Sequence, residues 1–146
     1  MRSAVDCTQL VAAIGDAVVV SDAEGRITLW NAAATALFGF TEDEALGQSL
    51  DLIIPERQRR RHWDGYAETM RTGETRYGTQ LLRVPALHKE GRTLSIAFTV
   101  ALLTDQAGAA HEVVAVIRDE TVRWTEERAL RQRLAECEAR VSDKKS

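Results

Sequence analysis

His62 is the side chain in this sequence best placed to do chemistry. It lies near the middle of a stretch, Pro55 to Thr72, that reads as one helix. Pro55 suits its first turn and Gly73 its stop. Tyr66 and Met70 follow at i+4 and i+8, on the same stripe. An imidazole on an inward stripe needs a partner, because burying it unsatisfied costs roughly 1–3 kcal/mol. A backbone carbonyl or a place at the helix edge would meet that need, and so would an iron centre. Arg57, Arg59, Arg60 and Arg61 share the helix. Four like charges there read as a solvated face, not a nucleic-acid footprint.

The other reactive residue types form no constellation. Cys7 and Cys137 stand at opposite ends and make neither a disulfide framework nor a CxxC site. Glu42, Asp43 and Glu44 read as helix-start charges favoured by the dipole, not as a catalytic pair. His88 and His111 are expected in turns, exposed. There is no P-loop, GxSxG or HExxH, so the chain is not expected to be an enzyme. A 45% hydrophobic fraction over 146 residues allows one domain with a real core. The net charge of −3 offers no basic field for nucleic acid. No apolar run approaches ~18 residues and no signal peptide opens the chain, so no membrane partner and a cytoplasmic location are expected.

Several elements must position His62. Ala4 to Ile14 has the spacing of a short amphipathic helix. Asp16 to Ser21 and Arg26 to Trp30 read as a hairpin around Asp22-Ala-Glu-Gly25. Asn31 caps a helix that Gly39 ends. Thr41 to Glu44 has the form of a capping box, with a stop near Gly47. After Gly73 the period changes to strands. One lies within Tyr77 to Leu87, with Pro85 marking an edge or bulge. A second is Thr93 to Leu103, with Leu94, Ile96, Phe98, Val100 and Leu102 on one face. A third is Glu112 to Arg118. Glu120 to Arg140 is a charged helix in which Leu130, Leu134, Cys137 and Val141 form a heptad seam.

Two strands, short helices, then three strands give an α+β domain with a five-stranded antiparallel sheet and helices on one face. The expected division is a flanking helix at 1–14, a central α+β domain at 15–119 and a charged C-terminal helix with its tail at 120–146.

Asp16-Ala-Val-Val-Val-Ser-Asp-Ala-Glu-Gly25, Trp30-Asn-Ala-Ala-Ala, Leu37-Phe-Gly-Phe-Thr and Glu44-Ala-Leu-Gly-Gln resemble the opening half of a PAS domain. Lys89-Glu-Gly91 resembles its second half, and Arg118-Asp-Glu-Thr121 the junction that passes a signal from the last strand into an output helix. The resemblance narrows at Gly47 to Glu56 followed by Arg59-Arg-Arg-His62. That segment is similar to the haem-binding PAS domains of FixL-type oxygen-sensing histidine kinases. The resemblance implies haem b, with His62 as its proximal metal ligand. Tyr66 joins the site from the same helix stripe. Phe98 and Val100 would line the haem, and Arg76 would lie near a propionate. It departs on the distal side. Leu82 stands where those kinases carry an Arg, and Gln80 where related phosphodiesterase sensors place a Met. An apolar wall there suits CO or NO better than stabilised O2.

Other ligand classes fit less well. Neither cysteine has the context a flavin-binding light-oxygen-voltage domain or a photoactive-yellow-protein chromophore needs. FAD remains open, with Trp30 and Trp63 as aromatic candidates. A small organic ligand and a cofactor-free dimerisation and relay module are the alternatives. A homodimer through the flanking helices is expected. So is a fused or separate effector such as a histidine kinase or cyclase. No effector sequence follows within the 146 residues, so the chain is expected to be a stand-alone sensor or a piece of a larger one.

Overall fold

A computed structural model of the protein describes residues 4–74 and 80–144. The chain opens with α1 (Cys7–Ala13), then β1 (Ala17–Asp22) and β2 (Ile27–Trp30). Helices α2 (Ala32–Phe38) and α3 (Glu42–Ala45), a 3-10 turn at Leu50–Ile53 and the long α4 (Glu56–Thr72) follow. Strands β3 (Leu82–Leu87), β4 (Thr93–Thr104) and β5 (Ala110–Asp119) lead into α5 (Thr121–Lys144). The strands form one antiparallel sheet in the order β2-β1-β5-β4-β3.

Local chemistry explains the boundaries. Asn31 caps α2 through its side chain, and Gly39 closes it in the left-handed region at φ 86°. Thr41 and Glu44 satisfy one another's backbone donors in a complete capping box. Pro55 sits one residue outside α4, at ψ 142°, and caps it without a side-chain hydrogen bond. Pro85 lies on β3, an edge strand, where its missing N–H costs no ladder bond.

The core lies between the sheet and α2, α3 and the 3-10 turn. Trp30 and Phe38 are fully buried at its centre with ring centroids 5.5 Å apart, and Ile27, Ile53 and Ile96 pack around them. The Trp30 indole N–H is shared between Thr35 Oγ1 and the Phe40 carbonyl, both at 3.1 Å. Asn31, also buried, spends its whole amide. Its Oδ1 accepts from the Val18 and Ala34 N–H groups, and its Nδ2 donates to the Val11 and Asp16 carbonyls.

Three expectations need correction. His88 is buried, not exposed. It closes the end of β3, and its ring lies against Gly39, where an added Cβ would meet Cε1 at 2.7 Å. Its Nδ1 accepts from the Glu90 N–H. The adjacent Lys89 bonds the Phe38 carbonyl through its backbone and Glu44 through its ammonium, so this turn clasps the α2–α3 corner. His111 is exposed but belongs to β5, not to a turn. The C-terminal helix, expected over Glu120 to Arg140, runs on to Lys144.

Candidate functional site

Alternation along three strands puts Val19 and Ser21 of β1, Ile96, Phe98 and Val100 of β4, and Val113, Ala115 and Ile117 of β5 on one face. Helix α4 lies across that face. Between them is a cleft of about 1370 Å3, walled mainly by those aliphatic side chains with Leu82 of β3 and Ile53. Arg57, Arg60 and Arg61 line its α4 side.

His62 enters the cleft wall from α4, half-buried. Its ring stands edge-on to Trp63, centroids 4.6 Å apart, and is tilted 40° over Tyr66 at 5.6 Å. Both neighbours are fixed. The Trp63 indole donates to Asp51 Oδ1 at 2.7 Å, and its ring covers Gly25 so closely that an added Cβ would lie 2.2 Å from it. The Tyr66 hydroxyl donates to the Asp22 carbonyl and pairs with Ser21 Oγ at 2.9 Å. Helix α4 is thus pinned to the β1–β2 hairpin by two aromatic side chains that follow and flank His62.

The imidazole is held by packing. Its Nδ1 is buried without a hydrogen-bond partner. Burial pushes the His62 pKa below 6.5, and the Asp51 carboxylate opposes that only in part. The ring is therefore neutral at pH 7, the form that ligates metals. Burial also raises the Tyr66 phenol above 10.0, against the Ser21 hydrogen bond.

Of the site residues expected from sequence, His62, Tyr66, Leu82, Phe98 and Val100 meet at this cleft. Gln80 is exposed, two residues before β3 begins, and does not line it. Arg76 lies outside the described residues. Trp30 belongs to the core and is not in the cleft wall. Ser21 and Asp51 were not anticipated. Both reach the site through partners distant in sequence, Tyr66 and Trp63, for which no local pattern exists.

The donor set can be tested against haem. Among the described residues no group of three or more His, Cys, Asp or Glu side chains could hold a bare metal ion. A haem brings its own ring nitrogens and asks the protein for an axial ligand and an apolar slot. His62 and the aliphatic walls supply these, in a cleft larger than the usual ligand pocket of ~300–1,000 Å3. The acceptor that customarily orients a ligating histidine through its second nitrogen is lacking at Nδ1. The residues fit the group, with Trp63 and Tyr66 holding the ring in place of that acceptor.

Comparison with known proteins places the chain. The family model described as "PAS fold" matches residues 6–119. The chain is 31% identical over 129 residues to the sensor protein FixL of Bradyrhizobium diazoefficiens, covering 88% of this chain and 24% of that protein. It spans only 16% and 24% of the lengths of the curated relatives it matches. Among solved structures, a PAS domain from Colwellia psychrerythraea superposes with a TM-score of 0.69 at 20% identity, over 79% of this chain and 94% of that one. An RNA-binding light-oxygen-voltage receptor gives 0.69 at 16% identity, over 88% and 36%. At those identities the structures speak for the fold alone. The five-stranded antiparallel sheet, the helices on one face and the family match agree, and the chain belongs to the PAS family.

Proposed function

We propose that this domain is a haem-type sensor that takes its ligand in the α4 cleft and relays occupancy through α5. The observation that carries the reading is the His62 imidazole, neutral and fixed between Trp63 and Tyr66, in the wall of a large apolar cleft. Haem would supply diatomic-gas or redox chemistry there. The chain's own residues do the rest. His62 offers a neutral ring nitrogen. Leu82, Phe98 and Val100 form an apolar wall without a strong donor, which favours CO or NO over a hydrogen-bonded O2. Trp63 and Tyr66 transmit movement of His62 to the β1–β2 hairpin.

The route outward is short. Phe98 and Ile117 are register partners on β4 and β5. Just past them, Arg118 Nε donates to Asp16 at 3.1 Å, and Asp119 Oδ1 accepts from the Thr121 N–H at the start of α5. Ser95 of β4 accepts from the Glu120 N–H and donates its own N–H to Thr121 Oγ1. A shift between β4 and β5 therefore reaches the root of the output helix directly. The role is sensing, passed to a second copy and to a fused or separate effector such as a histidine kinase or cyclase.

Absorption of the purified protein after haem reconstitution tests the reading. A Soret band in the wild type that is lost or strongly shifted in His62→Ala is the expected result. No band in the wild type overturns it. The second reading then stands, a small organic ligand in the same cleft. The unpartnered Nδ1 favours that reading, because no hydrogen-bond acceptor meets the second nitrogen that customarily orients a ligating histidine.

A further inference from the structure

We infer that the α4 cleft admits free apolar carboxylic acids, with the carboxylate held at the rim by Arg57, Arg60 and Arg61 of α4 and Arg83 of β3. This rests on the reading of the cleft as the ligand site and names a ligand class for it. Of the four arginines early in α4, only Arg59 is used by the fold. Its guanidinium donates to the Ile54 and Asp51 carbonyls at 3.1 and 3.3 Å and lies 3.8 Å from the Asp51 carboxylate. Arg57, Arg60 and Arg61 line the cleft instead, and Arg83 joins them from the edge strand. These four are exposed, and none has an ion-pair partner among the described residues.

Local energetics disfavour this arrangement. Arg60 and Arg61 follow Arg57 at i+3 and i+4, where like charges repel. Arg57 also lies in the first turn of α4, where the helix dipole opposes a cation. An anion at the rim relieves both costs, and the planar guanidinium fork matches a carboxylate. The walls define what carries that anion. The floor formed by β1, β4 and β5 bears one polar side chain, Ser21, and its hydroxyl is already paired with Tyr66. A polar group on the ligand body would be buried there without a partner, so the body is apolar. Further along α4 the sign of charge reverses, with Asp64 and Glu68 lining the same wall. They repel a carboxylate and confine it to the Arg57–Arg61 end, with the apolar chain lying along the floor. A neutral or cationic ligand would leave the arginines uncompensated.

Isothermal titration calorimetry of the whole chain, free of haem, tests this with decanoate, 1-decanol and decyltrimethylammonium below micellar concentration. Decanoate should bind about tenfold tighter than 1-decanol, and the preference should shrink as salt rises. The cation should bind more weakly than either. Arg57→Gln/Arg61→Gln should bring decanoate down to the level of 1-decanol. Arg131→Gln/Arg140→Gln, which removes the same charge from α5, should leave decanoate affinity unchanged. Equal affinity for acid and alcohol in the wild type overturns the arginine clamp and leaves the cleft standing as a ligand site. An equal loss in the α5 variant reduces the effect to net charge and overturns the clamp as well. Binding of none of the probes overturns the inference. The haem reading is separate, because the Soret measurement decides it without reference to these probes.

Discussion

Asn31 ties three segments with one side chain, and the cost of losing it can be stated. It holds the end of α1 through Val11, the start of β1 through Asp16 and Val18, and the first turn of α2 through Ala34. Asn31→Ala leaves buried backbone groups unpaired and should cost about 2–4 kcal/mol in urea denaturation. Asn31→Asp, which keeps the acceptor and loses the donors, should fall between. His62 gives a prediction in pH. Burial holds its folded pKa below the ordinary 6.5, so between the folded and the unfolded pKa the unfolded chain binds the proton more tightly. The stability contributed by the neutral ring is intact above about pH 6.5 and is lost as pH falls through that interval. Wild type should therefore lose more stability than His62→Phe between pH 7.5 and pH 5. Equal losses would mean the ring is freely hydrated in the folded state. The side chains of the candidate site divide along the same line. His62, Tyr66, Phe98 and Val100 were legible because helix and strand periods converge on one space. Ser21 and Asp51 were not, because hydrogen bonds between residues far apart in sequence leave no local trace.

At the scale of elements, the junction of α4 with the hairpin depends on a missing atom. Gly25 has φ 80° and lies under the Trp63 ring, with no room for a Cβ. Gly25→Ala should destabilise the domain by ~2 kcal/mol or more, through both the backbone and the clash. Adding Trp63→Leu should recover the clash component, a non-additivity readable in paired denaturation curves. The strands and capped helices were legible because alternation, the Thr41–Glu44 box and the glycine stops are local signals. The 3-10 turn at Leu50–Ile53 was missed because the apolar run before Pro55 carries no helical period. His88 was misplaced for a different reason. A Lys-Glu-Gly turn reads as solvent-exposed, yet this one folds back onto the bare Cα of Gly39 and the Phe38 carbonyl. Gly39 itself signalled only a helix stop. That it also makes room for an imidazole is a tertiary fact.

For the whole molecule, the strand order makes the first and last strands of the sheet neighbours at its middle. Ala17 pairs with Ile117 and Asp22 with Glu112, so β1 begins where β5 ends. The chain comes in and goes out at the same end of one ladder, beside the Asp16–Arg118 pair. This has a mechanical consequence. Tension applied between α1 and α5 does not slide the two central strands past one another. It opens their ladder from one end, taking the hydrogen bonds in turn instead of together. Unzipping yields at far lower force than shear, and the first links to part would be Asp16–Arg118 and then Ala17–Ile117. The same domain pulled through the β1–β2 and β4–β5 loops would load that ladder from its opposite end and spare the junction with α5. The fold is thus compliant at the point where its flanking helices attach, and a small tug or twist on either helix is felt first by the strands that line the cleft.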